Sequence, residues 1–111
     1  MDADEYQRQA RATAVYPREG AIVYCALGLN GEAGEVAEKI KKCMRDGHAW
    51  DFEKHQQYRA DIIKELGDVQ WYLSQLADEF GVLLSVVMQR NLVKLSSRQD
   101  RGALSGEGDD R

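Results

Sequence analysis

Residues 27–42 read Leu27-Gly28-Leu29-Asn30-Gly31-Glu32-Ala33-Gly34-Glu35-Val36-Ala37-Glu38-Lys39-Ile40-Lys41-Lys42, and a second stretch from Ile62 to Tyr72 answers them. Each carries an acidic pair at i, i+3: Glu32 with Glu35, then Glu65 with Asp68. On a helix such residues lie one above the other, and like charges at that spacing cost roughly 0.2–0.5 kcal/mol per pair. Helix propensity therefore gives no reason for the pattern to occur twice, whereas a shared cation does. At about 100° per residue, Leu29, Ala33, Val36, Ile40 and Met44 form an apolar stripe, with Glu32 and Glu35 on one flank and Lys39 between them in angle. In the second stretch Ile62, Leu66, Val69, Leu73 and Leu76 form the stripe, and Glu65 and Asp68 take the same-handed flank with Tyr72 between them. If the two stripes face each other antiparallel, as a short connection favours, both flanks point to one side and four carboxylates converge.

A chain of 111 residues is one small domain. One proline, 43% hydrophobic and 31% charged residues, and no strand pattern predict an all-α protein. The pattern sets four helices at about 3–15, 21–45, 53–80 and 82–98, in a four-helix bundle-like protomer, with residues 99–111 as an irregular tail. Tyr16-Pro17 is expected to end the first helix, because the residue before proline is driven out of the helical region. Asp46-Gly47 closes the second, Asp51 is set to cap the third, and Gly81 separates the third from the fourth. No apolar run reaches the roughly 18 residues of a membrane span, and the N-terminus lacks the basic and apolar regions of a signal peptide, so the expected location is the cytoplasm. A net charge of −4 argues against a general nucleic-acid binder, which needs a basic face. Cys25 and Cys43, about 27 Å apart if on one helix, cannot pair and read as buried apolar residues.

An oxygen-only ligand set, Glu32, Glu35, Glu65 and Asp68, suits Mg²⁺, with Mn²⁺ as the alternative. A di-iron bundle would need Glu-x-x-His, which neither stretch contains. His48 and His55 fall near the connection and are read as bystanders. On the fourth helix, Asn91 falls among Leu84, Met88 and Leu95, with Lys94 and Arg98 following at i+3 and i+7. A buried asparagine beside two cations suits the phosphates of a substrate, although a core hydrogen-bond network with two snorkelling side chains fits the same pattern. Trp50, Trp71 and Tyr72 are candidates for stacking on a base. Gly28, Gly31 and Gly34 each cost a helix interior about 1 kcal/mol relative to alanine, which points either to close approach by a neighbour or to a later helix start. No Gly-x-x-x-x-Gly-Lys occurs, which excludes a P-loop.

The segment Gly28 to Lys42, followed by Lys64-Glu-Leu-Gly-Asp-Val-Gln-Trp-Tyr-Leu73, Asn91-Leu-Val-Lys-Leu95 and Ser105-Gly-Glu-Gly-Asp-Asp-Arg111, resembles the MazG-like all-α nucleoside triphosphate pyrophosphohydrolases. The resemblance implies that Glu32, Glu35, Glu65 and Asp68 are metal ligands. It also implies Mg²⁺-dependent hydrolysis of a (d)NTP to monophosphate and pyrophosphate, and a homodimer or homotetramer whose helices complete the site. Larger members carry adjacent glutamates where this chain has Gly31-Glu32, a difference shared with compact members. In this reading Lys39, Lys42, Lys94 and Arg98 hold the leaving pyrophosphate, Asn91 and Tyr72 contact substrate, and Glu35 also orients the attacking water. The rival reading is a non-catalytic helical module, oligomerising or nucleotide-sensing, that retains the metal site.

Overall fold

The computed structural model describes residues 1–48 and 55–111, and the expected roles of Trp50 and Asp51 lie outside them. Four helices follow in order: α1 (Ala3–Arg11), α2 (Ala21–Arg45), α3 (Gln56–Glu79) and α4 (Leu84–Asp100). No strand occurs among the described residues.

α1 starts where a carboxylate can cap it, with Asp2 Oδ1 accepting from the Glu5 N–H at 2.8 Å. It ends at Arg11, four residues before the expected boundary at residue 15. The Ala12–Thr13 turn stops it, with the Thr13 hydroxyl turned back onto the Ala10 carbonyl at 2.7 Å and Tyr16 folded inward. Pro17 thus sits within a loop that has already left the helix.

α2 and α3 are the long antiparallel pair. α2 stops in the expected place: Gly47, at φ 81°, donates to Met44 O at 3.1 Å, and His48 N donates to Cys43 O at 2.9 Å. A residue with a Cβ would resist that left-handed turn, and the two bonds satisfy carbonyls that the helix leaves open. Gly81 ends α3 in the same way, with bonds from Gly81 N to Asp78 O and from Val82 N to Ala77 O.

The face that α2 turns to α3 runs through Ala21, Cys25, Gly28, Glu32, Val36, Lys39 and Cys43, rotated from the expected stripe toward its acidic flank. Ala33 and Met44 are consequently exposed, as is Leu66 on α3. The cause is visible at the α1 end, where Tyr16, Ala21 and Cys25 form the core against Trp71, Tyr72 and Leu76 and set the rotation of α2. Gly28 sits opposite Tyr72, and a Cβ there would overlap the ring, so close approach explains this glycine. A later helix start does not, since α2 already begins at Ala21. Trp71, a candidate for stacking on a base, lies edge-on to Tyr16 and donates from Nε1 to the Thr13 hydroxyl at 2.8 Å. Cys25 and Cys43 are both fully buried and unpaired, as expected.

α4 packs on α3 and α1 but not on α2 among the described residues. Its N-terminus is held by α1, with Leu84 N donating to Gln7 Oε1 at 2.8 Å and Ser85 N to Asp4 Oδ1 at 3.0 Å. Beyond that anchor its apolar side chains are open: Met88, Leu92, Val93 and Leu95 are all exposed. Asn91, expected to be buried on the inner face, is therefore exposed as well, because no helix covers that side. The radius of gyration is 17.0 Å, where a compact chain of this length would show about 13 Å. The chain is an α2/α3 hairpin with α1 and α4 at one end, more open than a closed bundle.

Candidate metal centre and its surroundings

The rotation of α2 brings Glu32 into the seam, directly across from the acidic pair of α3. One carboxylate oxygen each from Glu32, Glu65 and Asp68 lie within 4.8 Å of one another. Glu32 and Glu65 are half-buried and Asp68 is exposed, so the group opens to solvent on the Asp68 side. Burial, followed by the charges of Asp68 and Glu65, pushes the Glu32 carboxyl above its usual range. Three oxygens crowded in this way repel one another, and a hard divalent cation relieves the repulsion. The donor set holds neither nitrogen nor sulfur, which suits Mg²⁺ or Mn²⁺ over zinc or copper. The residues present therefore fit the ion that the acidic pattern implied.

Glu35 stays outside this group. It is exposed, yet near enough for its charge to add to the upward push on Glu32. Lys39 comes in from the next turn, its Nζ 3.5 Å from Glu65 Oε1, and is the positive charge the chain itself places at the seam. Lys42 turns the other way, 3.8 Å from Glu38. Tyr6 of α1 also lies by the seam: burial, then the charge of Asp68, raises its hydroxyl. Nothing in the spacing of α1 signals that placement.

Tyr72 is one turn past Asp68, and burial, with Tyr24 and Glu32 beside it, raises its hydroxyl. It belongs to an aromatic group in which Trp71 meets it edge-on at 5.0 Å and Tyr24 lies 6.4 Å away, itself stacked on Tyr16 at 5.3 Å. The sequence reading missed Tyr16 and Tyr24, since only the unforeseen loop after Arg11 carries Tyr16 to α2.

Asn91 and Lys94 are not gathered with the carboxylates. They rim a groove of about 530 Å³ floored by Leu73 and Leu76 of α3 and by Phe80 just past its end. Lys94 and Arg98 engage Asp109 of the tail. His48 and His55, read as bystanders, face each other at 3.7 Å between ring centres at the far end of the hairpin.

The chain is 49% identical to the Gene 37 protein of Mycobacterium phage L5, over the full length of both. It is 27% identical to the uncharacterized protein YvdC of Bacillus subtilis strain 168, over 87% of this chain and 92% of that one. No solved structure matches it. Residues 24–102, which carry the three seam carboxylates, Tyr24, Trp71, Tyr72 and all of α4, match the model of the MazG nucleotide pyrophosphohydrolase domain, and the chain belongs to that family.

Proposed function

We propose that this protein is a Mg²⁺-dependent nucleotide pyrophosphohydrolase that splits a (d)NTP into (d)NMP and pyrophosphate. The observation that carries the reading is the convergence of Glu32, Glu65 and Asp68 within a MazG domain. These three would hold the ion, with Glu35 completing the set from its exposed position on the next turn. An ion held there would supply Lewis acidity to the phosphoryl oxygens and lower the pKa of a water. Water oxygen bonds to the α-phosphorus and its proton passes to solvent, the bond from that phosphorus to the α–β bridging oxygen breaks, and pyrophosphate leaves with the bridging oxygen and its electron pair. The chain's part is positional. Glu35 orients the water, while Lys39, already at the seam, and Lys42, Asn91, Lys94 and Arg98 hold the phosphates. Tyr72 offers a ring edge to the nucleoside.

The same reading makes the protein a cytoplasmic homodimer or homotetramer. The open apolar side of α4 and the large radius of gyration support an assembly that covers α4 and brings its cations to a site. No helix among the described residues is long and apolar enough to cross a membrane.

The test is a panel of NTPs and dNTPs with Mg²⁺, assayed for pyrophosphate and for phosphate separately. Pyrophosphate with the monophosphate is the expected product pair; phosphate alone would assign the wrong bond. Sedimentation at micromolar concentration tests the assembly, and a monomer would remove that part of the proposal.

A further inference from the structure

Lys94 and Arg98 lie one turn apart on α4 and share a carboxylate from their own chain. Lys94 Nζ donates to Asp109 Oδ1 at 2.8 Å, and Arg98 Nη2 donates to the same oxygen at 3.1 Å and to the Asp109 carbonyl. Arg98 is only 6% exposed, and its Nε is buried without a hydrogen-bond partner. A guanidinium offers a rigid fork of N–H groups that suits an anion taken by two parallel bonds. Asp109 uses only the Nη2 side of that fork, so the site has more donor capacity than its occupant fills. A phosphate group, with more terminal oxygens than a carboxylate, can take Arg98 Nε, Arg98 Nη2 and Lys94 Nζ together.

The occupant is also open to exchange. The Asp109 side chain is 76% exposed, so water competes for its carboxylate, whereas the Arg98 side chain is only 8% exposed and favours an anion in that place. The tail meanwhile holds its own shape. Arg111 donates to the carbonyls of Ala103, Leu104 and Gly108 at 3.0, 3.0 and 2.7 Å, and Arg101 Nη2 donates to Arg111 O at 2.8 Å. Displacing Asp109 therefore removes the contacts by which Lys94 and Arg98 hold the tail against α4, and leaves the tail's own arginine bonds to hold it alone.

We infer that Lys94 and Arg98 form an anion site for a di- or triphosphate group, and that Asp109 occupies it as an intramolecular competitor, a latch that must leave before the phosphate enters. The inference rests on the nucleotide reading for the identity of the ligand, but its test uses neither metal nor turnover. Inorganic pyrophosphate is titrated calorimetrically in EDTA, where the acidic seam cannot bind it through an ion. Asp109→Asn should bind it roughly three- to tenfold more tightly than the parent, since the competing conformation is weakened, and Arg98→Gln should lose binding. In the parent protein, pyrophosphate should speed amide exchange in residues 103–111.

Equal or weaker binding by a folded Asp109→Asn protein would overturn the latch, as would tail exchange that slows or stays unchanged with pyrophosphate. If the variant fails to fold, exchange in the parent decides alone. A protein that releases no pyrophosphate from any nucleotide loses the enzymatic reading while these two measurements stand. One that turns over normally but shows no tail response loses only the latch.

Discussion

Asp68 and Glu79 sit about three turns apart on α3, the first in the acidic seam with Glu65 and Glu32 and the second at the helix end, and their surroundings are opposite. At the seam, Glu32, Glu65 and Asp68 crowd together with Lys39 as the nearby cation, and the Glu32 carboxyl is pushed up. At the C-terminal end, Glu79 accepts from Arg11 at 2.9 Å, from the Tyr16 hydroxyl at 2.5 Å and from Arg18. Its carboxyl is drawn down to about 2, chiefly by Arg18 and then Tyr16. Burial of the Tyr16 hydroxyl, together with its bond to Glu79, raises that group in turn. The same side chain thus serves two ends: Glu79 is saturated with donors and ties α1 and the following loop to α3, whereas the seam is left short of positive charge.

Substitutions can break that contrast. Neutralising the seam by Glu32→Gln or Asp68→Asn should cut turnover on the order of 10²–10³-fold. The same variants should leave the metal-free protein as stable as the parent or more so, because repulsion is removed. Thermal melts with and without Mg²⁺ check both halves: the ion should raise the parent's melting temperature and not the variants'. Near-normal activity in either variant would break the assignment. At the other end, Glu79→Ala should lower stability by about 2 kcal/mol in urea titrations, since it orphans donors from two arginines and a tyrosine.

The pH dependence follows from the same depressed carboxyl. Glu79 falls from an ordinary 4.5 to about 2 on folding, so its contribution is whole above about pH 4.5 and is lost as the pH falls through about 2. Glu79→Gln should flatten that part of the stability curve, and an unchanged acid limb would show that other groups carry it.

Between the two groups lies the contact of Gly28 with Tyr72. Gly28→Ala should cost about 1–2 kcal/mol, as ring displacement outweighs the gain in helix propensity. Gly34, with nothing near the place a Cβ would take, should behave in the opposite sense. Gly34→Ala should stabilise by about 0.5–1 kcal/mol. Equal effects at the two positions would show that α2 and α3 are not as close as described.

Periodicity made the four helices legible, and the repeated acidic pair at i, i+3 named the three carboxylates that meet at the seam together with Glu35, which stays outside it. What periodicity could not show was rotation. The expected stripe through Ala33 and Met44 was the more apolar face of α2, yet the chain buries the face through Cys25, Glu32 and Cys43, because Tyr16 docks there from a loop whose course no local signal predicts. The same loop conceals Trp71. Asn91 was misplaced for a related reason: an apolar face on α4 was assumed to be covered within the protomer, and it is open. Glu79 and Asp109 were invisible as hubs because their partners lie more than sixty and more than ten residues away in sequence. The expectation that the tail would be irregular held, since no helix forms past Asp100, but it is a folded turn system closed by Arg111.

The bonds from Asp4 and Gln7 to the start of α4 bear on the order in which the chain assembles. Leu83 provides no side-chain cap, so the first amides of α4 are satisfied by a helix some eighty residues earlier in sequence. An α4 so dependent gains little from forming by itself, while the α2/α3 hairpin closes over a short connection and makes most of its contacts within itself. The hairpin should therefore form early, and α4 should gain its protection only when α1 arrives. Pulsed hydrogen exchange would show this as late protection of Leu84 to Met88 in the parent protein, and as its loss in Gln7→Ala; simultaneous protection of α3 and α4 would refute the sequence of events. α1, the shortest of the described helices, contributing little to the core and nothing to the acidic seam beyond Tyr6, would then set the moment at which α4 commits.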